Sequence, residues 1–387
     1  MLEVAYVSSY SPRECGIASF TEDLTKSIDK LKVWRPSAII GVNDPGSSYD
    51  YGKEVIRQID EDDITTYQEA ADFANNSDLD LVNVQHEFGL FGGLWGNYLL
   101  TFLKKLKKPI VTTMHTTLSP NAKILDSPES ADAHNKVVKG IGRASSAIVV
   151  MTNMAAHILQ ESYGIDMDEI KVIPHGSPSF PFVPSEPVKN ALGLEGRTVL
   201  STFGFLSQDK GIHHAIKALP EIVKDRPDIL YLIIGITHPQ VRMREGEKYR
   251  KRLVELVHKL ELRDNVRFHN RFLSEDELIQ YLQATDVYIC PYVNKEQLSS
   301  GTVTYALGAG KPIISTPFFY AEELLAEGRG ILCQFRSPRS ITNGIKQLLD
   351  NPEKKARIEK LAYEHGRNMT WPRVASRYVD LFKEFAQ

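Results

Sequence analysis

The stretch NKEQLSSGTVTYALGAGKPIIST, residues 294–316, sets Ser299, Ser300, Gly301 and Thr302 at the start of a short helix expected over Thr302–Ala309 and stopped by Gly310. Amides and hydroxyls at a helix start just past a strand are a natural seat for an anion. Upstream, FGFLSQDKGIHHAI (203–216) ends a strand and puts Lys210 beside Gly211, immediately before another helix. An ammonium and helix-start amides can hold a phosphate together, although a lone surface lysine is usually just solvated. In the first half, VNVQHEFGLFGG (82–93) places His86 and Glu87 directly after a strand, and TTMHTTLSP (112–120) does the same for His115. His86 could bond a sugar hydroxyl, or stabilise positive charge through its carbonyl. A satisfied loop histidine is the ordinary alternative. YSPRECGIASF (10–20) carries Gly16, which allows close backbone approach to a ligand but also suits a plain tight turn. THPQVRMREGEKYRKRL (237–253) brings Arg242 and Arg244 after a strand, within mixed charge that reads foremost as a solvated loop.

The elements that must position these residues repeat one grammar: apolar strand, small-residue loop, amphipathic helix. The first half offers the strands VAYVSS, SAIIGV, LVNVQ, PIVTTM and SAIVVM. Between the first two, FTEDLTKSIDKL aligns Phe20, Leu24, Ile28 and Leu31 on one helical face. Continuously apolar strands separated by helices predict parallel sheets covered on both faces. IPHGSPSFPFVPSEPVKN (173–190), with five prolines and no periodicity, reads as a linker. The grammar then restarts with TVLSTFGF, ILYLIIG, NVRFHN, DVYICP and PIIST. This predicts an α/β protein of two Rossmann-like domains, over 1–180 and 190–370. A closing helix, 371–387, crosses back to the first and aligns Val374, Tyr378, Val379, Leu381 and Phe385. Such pairs usually hold ligand in a cleft between the carboxyl ends of their strands.

Composition narrows the classes. Across 387 residues, 42% are apolar and 25% charged, and 46 basic against 49 acidic residues give a net charge of −3. No basic excess points to nucleic acid as partner. Three scattered cysteines, Cys15, Cys290 and Cys333, lack metal-ligand spacing and suit reduced thiols in the cytoplasm. No apolar run reaches the ~18 residues of a membrane span, and MLEVAYVSSY reads as a strand rather than a signal peptide. Peripheral contact with a membrane stays open. Motifs for P-loop, serine-esterase and zinc-protease chemistry are absent.

Together the PRECGIASF loop, HEF at His86, VIPHG at 172–176, FGFLSQDKG at 203–211, the run NVRFHNRFLSEDELIQYLQATDVYICPY and ALGAGKPIIST resemble the GT-B glycosyltransferases of family four, over essentially the whole chain. The resemblance implies transfer of a hexosyl group, mannose or glucose by family frequency, from a nucleotide-sugar donor to an acceptor hydroxyl. It further implies retention of anomeric configuration, with no metal and no resident cofactor. Donor phosphates would lie against Lys210, Gly16 and the Ser299–Thr302 turn, near Tyr305. Glu87, His115, Arg242 and Arg244 would line the acceptor side, with His86, Lys210, Glu296 and Gln297 closest to the chemistry.

Two departures bear on the donor. The family's E-x7-E pair falls here on Gln297 and Tyr305, with Glu296 one residue off register, and its G-R-L arginine is Phe205. Both positions serve nucleotide diphosphate recognition in the family, and a lost charge-assisted contact there is worth roughly 1.5–3 kcal/mol. A phosphorylase exchanging orthophosphate and hexose 1-phosphate on the same fold is therefore the second reading. A non-catalytic sugar-binding protein is the third.

Overall fold

The computed structural model describes residues 2–386, and contacts divide it into two compact units, Met1–Gly176 with Trp371–Gln387, and Ser177–Thr370. Unit 1 runs β1 (Val4–Ser8), α1 (Gly16–Lys30), β2 (Ala38–Asn43), β3 (Val55–Asp60), α2 (Ile64–Asn75), β4 (Leu81–His86), α3 (Leu99–Lys105), β5 (Ile110–Met114), α4 (Pro128–Ala144), β6 (Ala147–Val150), α5 (Asn153–Tyr163) and β7 (Ile170–Val172). All its strands pair in parallel, in the order β3-β2-β1-β4-β5-β6-β7. The order reverses between β1 and β4, and loops leaving their carboxyl ends diverge there.

Unit 2 runs α6 (Ser185–Ala191), β8 (Thr198–Phe203), α7 (Ile212–Asp225), β9 (Ile229–Ile234), α8 (Pro239–Glu245), α9 (Lys248–Lys259), β10 (Val266–His269), α10 (Glu275–Ala284), β11 (Val287–Cys290), α11 (Gly301–Gly308), β12 (Ile313–Ser315), α12 (Phe319–Leu324), β13 (Ile331–Leu332), α13 (Pro338–Leu349) and α14 (Pro352–Gly366). Its parallel sheet is ordered β10-β9-β8-β11-β12-β13, reversing between β8 and β11. Alternate side chains fill two cores: Leu200, Tyr231, Ile233 and Ile289 pack under α7, α9 and α13 on one face. Val199, Leu230, Leu232 and Ile234 fill the other with Leu273 and Ala284. The last helix, α15 (Trp371–Phe385), belongs to unit 1.

Several local expectations shift. On α1, Phe20, Leu24 and Ile28 are buried, whereas Leu31 caps the helix and is 38% exposed. On α15 the deepest aromatic is Phe382 rather than Phe385, because Phe382 continues the stripe set by Tyr378 and packs on Tyr6 and Trp34. The stretch 173–190 is not all linker, since α6 starts at Ser185. The strands β3, β7 and β13 join the sheets as additional members.

Candidate functional site

In unit 2 the loop after β8 and the loop after β11 meet at the switch point. Gly211 takes φ +63°, and a Cβ there would lie 2.0 Å from the Pro291 carbonyl, so only glycine lets the two loops stack. The Asp209 backbone carbonyl accepts the Val293 amide at 2.9 Å, which seals the contact. Lys210 then extends over the Tyr292 ring, with its Nζ 3.9 Å from the ring centre. A cation over an aromatic face is held by about 0.5–2 kcal/mol. The Tyr292 hydroxyl bonds Thr302 Oγ1 at 2.8 Å, and Thr302 in turn bonds Ser300 Oγ at 3.1 Å. Ser300 caps α11 by accepting the Val303 amide. The expected lysine and the expected helix start therefore stand together, joined through Tyr292. Gly301 and Thr302 contribute first-turn amides, which a helix leaves without an intrahelical carbonyl.

The rest of that loop is braced. Gln297 donates from Nε2 to the Ser299 carbonyl at 2.9 Å, and its own carbonyl accepts the Tyr320 amide at 3.1 Å. Glu296 is half-buried with its amide on Asn294 Oδ1 at 3.0 Å. Tyr305 lies within α11, its ring 6.2 Å from Phe203. Phe205, at the position where the resemblance implies an arginine, packs on His238 (5.4 Å) and the half-exposed Phe272 (5.9 Å) as part of an aromatic surface. Arg242 and Arg244 belong to unit 2, whereas Glu87 and His115 belong to unit 1. Both sit in unit 2 on the exposed helix α8, where Arg242 pairs with Glu247 at 3.6 Å and Arg244 bonds the Gln240 carbonyl. Solvation suits two long cations on a helix without buried residues.

In unit 1 the strand ends hold a different set. Glu87 is half-buried after β4, its Oε1 accepting the Phe88 amide at 3.0 Å and its Oε2 the Thr116 hydroxyl at 2.6 Å. Burial pushes this carboxyl above its usual range. His115 follows β5 and is bonded through Nε2 to Gln85 Oε1 at 2.8 Å. Nε2 is the donor in that contact, since an amide oxygen accepts. Its ring meets Phe20 edge-on at 4.6 Å, and Phe20 also meets His175 and Trp371. Burial lowers the His115 imidazole to about 3 and that of His175 to about 4, so both rings are neutral. Gly16 opens α1 with nothing within 4 Å of where a Cβ would stand.

His86 requires a correction. Its ring has no exposed surface and lies against Phe88 at 4.7 Å and Phe91 at 6.0 Å. Neither ring nitrogen has a hydrogen-bond partner, and burial lowers it to about 3. Its carbonyl already accepts the His115 amide at 2.9 Å. The β4 pleat turns this last strand residue into the core and leaves Glu87 half-buried just past the strand end. Sequence reading also missed Tyr292, Phe20, His175 and Trp371. The signal for Tyr292 was available, as an aromatic two residues past β11.

Among the described residues no cluster of three or more His, Cys, Asp or Glu is arranged to hold a metal ion. No helix among them is long and apolar enough to cross a membrane.

Residues 57–178 match the family model for Glycosyltransferase Family 4, and residues 185–365 match that for Glycosyl transferases group 1. Spore coat protein SA of Bacillus subtilis is 28% identical over 205 residues, 51% of this chain and 52% of that protein. D-inositol 3-phosphate glycosyltransferase of Corynebacterium urealyticum is 25% identical over 283 residues, 70% of this chain and 65% of its own length. The matches thus span between half and two-thirds of these relatives. Among solved structures, Anabaena HepE in complex with UDP and glucose is similar with a TM-score of 0.76 at 17% identity, covering 99% of this chain and 100% of that one. Sucrose-phosphate synthase from Thermosynechococcus elongatus gives 0.78 at 16% identity, covering 99% of each chain. With both halves of the fold and both sequence segments matched, the chain belongs to the GT-B glycosyltransferases of the group 1 and family 4 type.

Proposed function

We propose that this protein transfers a hexosyl group, glucose or mannose, from a nucleotide-sugar donor to an acceptor hydroxyl, retaining the anomeric configuration and using no metal. The observation that carries the reading is the convergence of Lys210 with the first turn of α11 through Tyr292, Thr302 and Ser300. In the step, the bond from the anomeric carbon to the phosphate oxygen breaks, and the acceptor oxygen forms the new bond. The acceptor proton passes to the departing phosphate. Negative charge grows on the leaving oxygen, and Lys210, the α11 amides and the two hydroxyls are placed to answer it. Positive charge supplied this way needs no metal ion. Glu87 and His115 on unit 1 orient the acceptor by bonding its hydroxyls. The UDP complex of HepE and the glycosyltransferase names of the relatives support a nucleotide-linked donor.

Calorimetry with UDP, GDP and ADP, beside orthophosphate and hexose 1-phosphates, tests the donor. Micromolar binding of one nucleotide is expected. Lys210→Ala should weaken it about 10- to 150-fold and lower kcat by roughly 10²–10³ with the fold intact. Wild-type turnover in that variant would remove Lys210 from the mechanism. Phe205 and Tyr305 favour the phosphorylase as a second reading, because neither supplies the charge or acceptor pair of the family pattern. Binding of orthophosphate and hexose 1-phosphate without any nucleotide would establish it.

A further inference from the structure

The connections leaving the carboxyl edge of the unit 1 sheet are short of cations. Residues 9–15, 61–63, 87–98, 115–127, 151–152 and 173–176 hold only Arg13 and Lys123 as arginine or lysine. Glu14, Glu61, Asp62, Asp63, Glu87 and Asp126 oppose them. The connection after β2 begins with Asp44 at this edge, and its Lys53 lies at the other end, beside the Glu54 carbonyl that receives the Ile39 amide. Arg13 is committed: its guanidinium is buried, 2.6 Å from Asp44 and 3.3 Å from Glu61, and it also donates to the Val42 carbonyl. The imidazoles at this edge are neutral, as shown above. The closing helix carries three exposed cations, Arg373, Arg377 and Lys383, of which Arg373 stands nearest in sequence to Trp371.

We infer that unit 1 takes an uncharged polyol or glycoside as acceptor, bound through a hydroxyl donated to Glu87, and discriminates against phosphorylated acceptors. This rests on the placement of the acceptor on unit 1 proposed above. A phosphate monoester brings close to two negative charges at neutral pH and is ordinarily recognised by paired guanidinium or ammonium groups. At this edge it would meet the Glu87 carboxylate and two rings without charge, so unit 1 would leave a desolvated phosphate unanswered. A sugar hydroxyl meets the opposite situation. Glu87 spends one lone pair of each oxygen on Phe88 and Thr116 and keeps the others to accept from a substrate O–H. The chain would differ here from the relatives named for D-inositol 3-phosphate.

The test measures transfer from UDP-glucose and GDP-mannose to matched pairs: glucose and glucose 6-phosphate, fructose and fructose 6-phosphate, myo-inositol and D-inositol 3-phosphate. The unphosphorylated member of a used pair should show kcat/KM at least about tenfold higher. Titration of the phosphorylated members onto UDP-saturated protein should show no binding below about 1 mM. Glu87→Gln should narrow the ratio within a used pair while UDP affinity stays unchanged, which a purely structural role would not produce. A phosphorylated member that is used faster, or bound more tightly, than its neutral partner overturns the inference while leaving the donor site standing. Loss of that preference in Arg373→Ala or Lys123→Ala would locate the cation responsible. Failure of UDP, GDP and ADP to bind strikes the donor reading instead.

Discussion

The Tyr292 side chain has two separable roles, and the difference can be measured. Its ring carries Lys210, and its hydroxyl fixes Thr302. Tyr292→Phe keeps the first and removes the second, at the cost of one hydrogen bond, about 1 kcal/mol. Donor KM should rise roughly fivefold with kcat nearly unchanged, whereas a collapse of kcat would show that the hydroxyl acts in the chemical step. His86 is the contrasting case. A neutral ring with two unpartnered nitrogens sits among aromatics, so His86→Leu should leave transfer within about threefold of wild type and stability equal or better. A loss comparable to that of Lys210→Ala would restore a chemical role. Glu61 supplies the pH dependence. Burial, opposed by Arg13, raises its carboxyl from 4.5 to about 7. Between those values the folded state keeps a proton that the unfolded chain releases, so its stabilising contribution is complete below pH 4.5 and is lost as pH rises through 7. Glu61→Gln cannot ionise. Its stability relative to wild type should therefore climb by roughly 1–3 kcal/mol between pH 4.5 and 8. A flat difference across that range in thermal melts would refute this account.

At the scale of elements, the strand-to-helix connections do the positioning, and one glycine shows how tightly. Gly211→Ala combines a left-handed backbone angle with a methyl 2.0 Å from the Pro291 carbonyl. The substitution should cost about 2–4 kcal/mol and, by parting the two loops, reduce donor affinity as strongly as Lys210→Ala. Unchanged donor affinity at reduced stability would separate the loop contact from the site. Such connections were legible in sequence because their strands are continuously apolar: AYV in β1, LYLII in β9 and VYIC in β11 announce buried strands without any partner being known. The β3 strand was not, since only Ile59 of its six residues is buried and an edge strand needs no apolar run. Two-residue β13 offers less still. Lys210 and the Ser300 turn were legible because each follows a core strand and precedes a helix. Tyr292 was not read, because its role arises from a contact across 82 residues, 292 − 210, that no local pattern encodes. His86 was misread for a related reason. Position after a strand was visible, but which of two adjacent residues turns outward depends on the last pleat of β4.

For the molecule as a whole, the decisive feature is that the chain's end completes its beginning. The α15 helix buries Trp371, Val374, Ala375, Tyr378, Val379, Leu381 and Phe382 within unit 1. Tyr378 hydroxyl bonds Thr113 on β5 at 3.0 Å, Phe382 lies between Tyr6 and Trp34, and Trp371 covers Phe20. Phe20 in turn contacts His115, so the same helix that closes the core also sets the wall behind the proposed acceptor residues. Burial of these large side chains is worth on the order of 10 kcal/mol, comparable to the whole stability of a domain. A chain ending at Thr370 should therefore lose the folded unit 1, not merely fray it. Unit 2, whose two core clusters include no residue of α15, should be spared. In hydrogen exchange, amides of β1, β4 and β5 should lose protection in the truncated protein while those of β8, β9 and β11 keep theirs. The milder Phe382→Ala should lower unit 1 stability by about 3–5 kcal/mol and leave nucleotide binding by unit 2 intact. Equal loss of protection in both sheets would mean that the two units fold as one cooperative body, with the terminal helix serving the entire chain.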